Sequence, residues 1–173
     1  MKCTDVLMKE HKIILRALEV LDQMASRVAE GQPVDAGDVQ ALLRFLRKFG
    51  DDLHQAKEES ALFPELMRTA AANQPALKQM LFEHDQERSL VEGLEDSLRT
   101  QKGGEFAQLA GRLRDLLRTH ILKEDTILFE IVEQSLSPEQ DERVTRGFNQ
   151  FQISLDFLAD LRRLEWTYLR RAA

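Results

Sequence analysis

Three helix breakers, GQP at 31–33, NQP at 73–75 and KGG at 102–104, divide this chain into long amphipathic runs, and that spacing is what most restricts its fold. The first run starts at the N-cap candidates Thr4 and Asp5, and the second at about Asp38. The third spans Pro75 to about Thr100, and the fourth Glu105 to about Gln134. Pro64 lies inside the second run, so a kink or break is expected just after residue 65. Ser137, Pro138 and Gln140 read as N-cap, first-turn proline and capping-box partner of a fifth helix reaching nearly to the end. Val, Ile and Thr are sparse beside Leu, Glu, Arg and Ala, so the expected class is all-α. Short breaks between long helices predict an up-down-up-down four-helix bundle over 1–136. The remainder, 137–173, is expected as an additional C-terminal helix packed on the bundle or at an oligomer interface.

The apolar stripes leave a gap in each of the four helices, and a histidine fills every gap. His11 follows Leu7 and precedes Ile14; His54 and Glu58 continue the line Leu43, Leu46, Gly50 and lead to Ala61; His84 sits between Met80 and Val91. In the fourth helix, Leu109, Leu113 and Leu116 lead to His120, Glu124, Ile127 and Ile131. The chain has only four histidines, so all of them are expected to face one interior.

Residues 54–65, HQAKEESALFPE, return at 120–131 as HILKEDTILFEI, keeping His, Lys, Glu, a second acid and a Leu-Phe pair. Glu10-His11 and Glu83-His84 repeat in the same way, so the second half echoes the first. Residues four apart share a helix face, which sets Glu58 beneath His54 and Glu124 beneath His120. Buried carboxylates are costly without partners, and these face only imidazoles; a metal satisfies both. Imidazole suits iron, zinc, copper or nickel, and a carboxylate can bridge two ions. His11, His54, Glu58, His84, His120 and Glu124 are therefore the candidate metal ligands. Ferritin-type sites run Glu then His at plus three; here His leads and Glu follows at plus four.

The pattern His11, His54-x-x-x-Glu58, His84, His120-x-x-x-Glu124 resembles the hemerythrin-like (HHE cation-binding) family over about residues 4 to 135. That resemblance implies two non-haem iron ions with a bridging oxo or hydroxo species, bridged by Glu58 and Glu124, with the four histidines as terminal ligands. It also implies a small diatomic or peroxide partner. Oxygen carriers of the family place two histidines four apart on the third helix, whereas Arg88 stands four after His84 and Met80 four before it. Glu87, on the inward line, is expected either to fill that coordination position or hold a ligand, or to pair with Arg88 or reach solvent. Glu124 is expected as the bridge, with Asp125 and Glu59 behind the ligands or facing solvent. Glu10 and Glu83 are expected as surface charges, and Lys57 and Lys123 as reaching water. Leu62-Phe63 and Leu128-Phe129 are expected as core packing.

Two function classes follow. One is a di-iron protein binding dioxygen, peroxide or nitric oxide, with a catalase- or peroxidase-like form; the other is a non-catalytic iron or oxygen sensor acting through the fifth helix. A metal-free or zinc-loaded bundle is the third outcome. A net charge of −6 argues against nucleic acid. No stretch has signal-peptide or membrane-spanning length, so a cytoplasmic stress-response protein is expected, with no membrane partner. Cys3, the single cysteine, allows no internal disulfide and is expected to be a spectator. Phe148, Phe151, Leu155, Leu158, Leu161 and Leu164 must be buried on the bundle or in a homodimer.

Overall fold

In the computed structural model, which describes residues 1–169, every regular element is helical. Helix α1 (Cys3–Ala29) starts one residue before the expected caps. Lys2 is the flanking residue; Asp5 accepts from the Lys2 backbone N–H at 2.8 Å, and the Thr4 hydroxyl donates to Glu133 at 2.9 Å. Helix α2 (Ala36–Phe45) begins two residues before the expected Asp38, because Asp35 caps it by accepting from Asp38 N–H. From there the run is π-helical over Leu46–Gln55 and again over Glu58–Leu62, and α3 (Phe63–Leu66) closes it.

Pro64 lies in the first turn of α3, directly after the 58–62 π-helical turn, and the backbone stays helical through it. The helix stops at Leu66, short of the expected Ala72, and a 3₁₀ turn over Ala70–Asn73 follows. Helix α4 (Pro75–Arg99) matches expectation. Helix α5 (Gly103–Lys123) continues as a π-helical turn, Glu124–Leu128, and then α6 (Phe129–Ser135).

The fifth run is not one helix. Helix α7 (Pro138–Gly147), with the expected Ser137–Gln140 capping box, a 3₁₀ turn and an extended stretch over 151–154 precede α8 (Leu155–Tyr168), which Ser154 caps. Residues 170–173, expected at the end of the fifth helix, lie outside the described residues.

Contacts run α1 to α2, α2 to α4, α4 to α5 and α5 back to α1, which is the ring of an up-down-up-down bundle. Helix α8 covers α1 and α2 through buried Leu161, Leu164 and Tyr168, while α7 packs on α1 and the 58–62 turn. Among the described residues, no helix is long and apolar enough to cross a membrane. Buried apolar side chains form two clusters. One contains Ile14, Leu18, Phe45, Leu94 and Leu113; the other contains Leu7, Phe63, Leu66, Met80 and Phe129. His11 lies between Leu7 of one and Ile14 of the other, and His84 between Met80 and Val91, so the histidine layer separates them.

Two helix ends share one C-terminal geometry with different residues. After α1, Gly31 takes φ 70° while its N–H bonds Val28 O at 3.1 Å and Gln32 N–H bonds Arg27 O at 2.8 Å. After α4, Gln101 takes φ 56° with the matching bonds to Leu98 O at 3.2 Å and from Lys102 to Ser97 O at 2.9 Å. KGG therefore does not stop the third helix: Gln101 does, and Gly103 opens α5. A left-handed Gln carries steric cost that glycine lacks. Gln101→Gly is expected to raise unfolding stability by about 0.5–1 kcal/mol in urea titration, and a lower midpoint would contradict this.

Candidate metal centre

The histidine layer owes its arrangement to the π-helical turns. An i→i+5 turn inserts one residue into the helical repeat, so residues at plus four and plus five from a histidine both reach the interior side. Glu58 and Glu124 are fully buried, while Glu59 and Asp125 reach back to the histidines of other helices. The same insertion moves the inward position from Ala61 to Leu62 and from Ile127 to Leu128: Leu62 and Leu128 are buried, whereas Ile127 is 50% exposed. The apolar stripe expected through Ile127 is corrected accordingly. Phe63 and Phe129 are packed as expected, and each also stacks on an imidazole, His84 at 6.0 Å and His11 at 5.5 Å.

All six candidate ligands converge. His11 Nε2 lies 3.1 Å from Glu124 Oε2, and His120 Nε2 lies 3.3 Å from the same oxygen. Glu58 spans the other two, Oε1 at 3.6 Å from His54 Nε2 and Oε2 at 3.4 Å from His84 Nε2. Two groups able to hold a metal ion emerge, one of His11, His54, Glu58 and Glu124, the other of His84, His120 and Glu124. Each group contains one pair of neighbouring rings, His11 with His54 at 4.6 Å and His84 with His120 at 4.9 Å.

The opposite nitrogen of every histidine meets a carboxylate. His11 Nδ1 bonds Asp125 at 2.7 Å, His54 Nδ1 bonds Glu10 at 3.0 Å, His84 Nδ1 bonds Glu59 at 2.7 Å and His120 Nδ1 bonds Glu83 at 2.9 Å. A carboxylate only accepts, so Nδ1 of each ring carries a proton, and in the neutral ring Nε2 turns its lone pair toward the centre. There the lone pairs face carboxylate oxygens, acceptor against acceptor. Both oxygens of Glu58 and of Glu124, and Nε2 of His11 and His84, are buried without a hydrogen bond. Positive charge resolves that arrangement, either a second proton on the ring or a metal ion.

The titration behaviour carries the same demand. Burial pushes His11, His84 and His120 down, yet the surrounding carboxylates raise them to about 10, about 10 and about 9. Burial pushes the Glu124 carboxyl up, but His120 and His11 hold it well below the usual carboxylate range.

Glu10 and Glu83 are not surface charges. They are 8% and 3% exposed, and besides their histidines they receive Lys57 and Lys123. Lys57 is buried too, so it does not reach water; Lys123 is 30% exposed in its side chain. Both glutamates lie off their own histidine's face, and what buries them is a His-x-x-Lys pair on the neighbouring helix. The repeated Glu-His and His-x-x-Lys spacings were the signal available in the sequence.

Glu87 is buried at 3% and does not pair with Arg88, which instead bonds Asp51 at 2.8 Å and Glu59 at 2.7 Å. Gln55, which sequence reasoning did not single out, donates to Glu87 Oε2, while Glu87 Oε1 sits 3.7 Å from His120 Nδ1. Glu87 thus stands behind His120 and outside both metal-holding groups. Its burial raises its carboxyl to about 7.

A family model of the hemerythrin HHE cation binding domain matches residues 3–132, which ends before α7 and α8. No curated protein matches the chain.

Proposed function

Since the chain belongs to the hemerythrin HHE cation-binding domain family, we propose that it is a non-haem di-iron protein that binds a small oxidant beside the two half-sites. What carries this reading is the set of buried groups that converge without a hydrogen bond from the chain's own donors, Nε2 of His11 and His84 and both carboxylates of Glu58 and Glu124. His11 and His54 would hold one ion and His84 and His120 the other, with Glu58 and Glu124 spanning the pair. Imidazole-rich oxygen and nitrogen donors suit iron, and iron when bound supplies a Lewis acid that changes oxidation state.

The chain's own groups prepare that site. Asp125, Glu10, Glu59 and Glu83 fix each ring's tautomer and orientation and raise its basicity. Phe63 and Phe129 lie flat against His84 and His11 and keep water off those faces. Protein from iron-supplied cultures is expected to carry about two irons per chain and to absorb in the near ultraviolet. A colourless, iron-free protein sinks the reading. Gas evolution on adding peroxide is the mark of a catalase-like form.

The sensor reading draws on one observation. Lys57, which holds Glu10 behind His54, lies 5.6 Å from the Phe148 ring just after α7, and a Cβ on Gly147 would sit 3.3 Å from the Ala61 Cβ. The C-terminal segment therefore touches the second-helix half-site, and exposed Leu155 and Trp166 on α8 are the surface a homodimer would use. Metal-bound protein without peroxide turnover favours this reading.

A further inference from the structure

The two halves of the site echo one another in their candidate ligands but differ at two matched positions beside them. Where the first half has Ile14, three after His11, the second has Glu87; where the second has Ile121, next to His120, the first has Gln55. All four side chains line a single cavity of about 40 Å³, together with His54 and His120. One water needs roughly 10–15 Å³, so the cavity has room for a few oxygen-sized atoms.

Arg47, Asp51 and Arg88 also line it, and the two guanidinium groups are taken up by Glu95, Asp51, Asp85 and Glu59, so the buried lining atoms without a hydrogen bond are acceptors. The Gln55 amide donates to Glu87 Oε2, and Oε1 of Gln55 and Oε1 of Glu87 are both buried without a hydrogen bond, in residues 5% and 3% exposed, with His120 Nδ1 3.7 Å from Glu87 Oε1. A buried polar atom left unpaired costs about 1–3 kcal/mol. Dioxygen and nitric oxide have no hydrogen to give these atoms, whereas hydrogen peroxide has two O–H donors. We propose that this cavity seats hydrogen peroxide, with one O–H donating to Gln55 Oε1 and the other to Glu87 Oε1. Gln55 and Glu87 then select peroxide over dioxygen and nitric oxide. The use made of the peroxide rests on the di-iron reading; the seat itself does not need a redox-active metal.

The test uses zinc-loaded full-length protein at pH 8, titrated with hydrogen peroxide and followed through the Ile14 and Ile121 methyl and Gln55 side-chain amide NMR signals. Wild type is expected to show saturable shifts. Gln55→Met, close in length and without the acceptor, is expected to raise the half-saturation concentration about tenfold, the equivalent of one hydrogen bond. Glu87→Gln, of unchanged shape, puts an amide donor where the acceptor was and is expected to weaken peroxide similarly, so the result does not hang on one variant folding. In iron-loaded protein, nitric oxide affinity is expected to stay within about twofold in both variants, since no donated hydrogen bond is lost. Unsaturable shifts in wild type, as for a cavity holding water only, overturn the proposal, as do unchanged half-saturation in both variants or an equal loss for nitric oxide. Saturable shifts in a protein that never takes up iron keep the seat and sink the di-iron reading alone.

Discussion

Glu124→Ala is expected to erase the metal-dependent rise in melting temperature. Binding at a thousandfold excess over the dissociation constant stabilises a folded chain by about 4 kcal/mol, which for a protein of this size is roughly 8–16 °C. Glu124 is the residue common to both metal-holding groups, and its Oε2 stands 3.1 Å from His11 Nε2 and 3.3 Å from His120 Nε2. Losing it takes a donor from both metal-holding groups and leaves the half-sites unlinked. Glu58→Ala removes the span between His54 and His84 and is expected to act in the same direction. Calorimetry with and without added iron, beside the iron content of each variant, reads the effect. A Glu124→Ala protein that keeps the full shift would remove Glu124 from the site.

Glu10→Ala is expected to lower the stability of the metal-free protein by about 3–5 kcal/mol, because it strands the buried Lys57 ammonium and frees His54 Nδ1. Removing both charges, as Glu10→Ala with Lys57→Met, is expected to recover most of that loss, since an apolar replacement of a buried pair is often close to neutral. The equivalent change at Glu83 is expected to cost less, because Lys123 keeps 30% of its side chain in water. Urea unfolding measures all three. A Glu10→Ala midpoint within error of wild type would show that Lys57 reaches solvent by another rotamer.

The same residues show where sequence reasoning succeeds and where it stops. His11, His54, His84 and His120 could be placed inward because each interrupts an apolar stripe whose period its own helix displays. Glu58 and Glu124 followed from the plus-four rule. Ile127 was misplaced for a local reason: a π-helical turn widens the repeat by one residue, and Glu124–Leu128 is no different in composition from an ordinary turn. Glu10 and Glu83 were misplaced for a non-local one. A charge lying off its own helix's inward stripe is buried only when a neighbouring helix brings the partner, and nothing in the first helix announces Lys57. The break in the fifth run has a similar origin, since its apolar residues must satisfy two separate surfaces, the site end through Val144 and Phe148 and the far end through Leu161 and Leu164.

Two apolar clusters stand on either side of the imidazole layer, and neither contains a ligand. Collapse of the bundle therefore does not wait for the ions, in contrast to small zinc modules that fold only around their metal. The centre behaves as a late-filled compartment: chelation is expected to empty it without melting the helices, and the apoprotein to be refilled from solution. Such a chain can be made and kept before its metal reaches it, and the ratio of loaded to empty molecules then follows the supply of that metal.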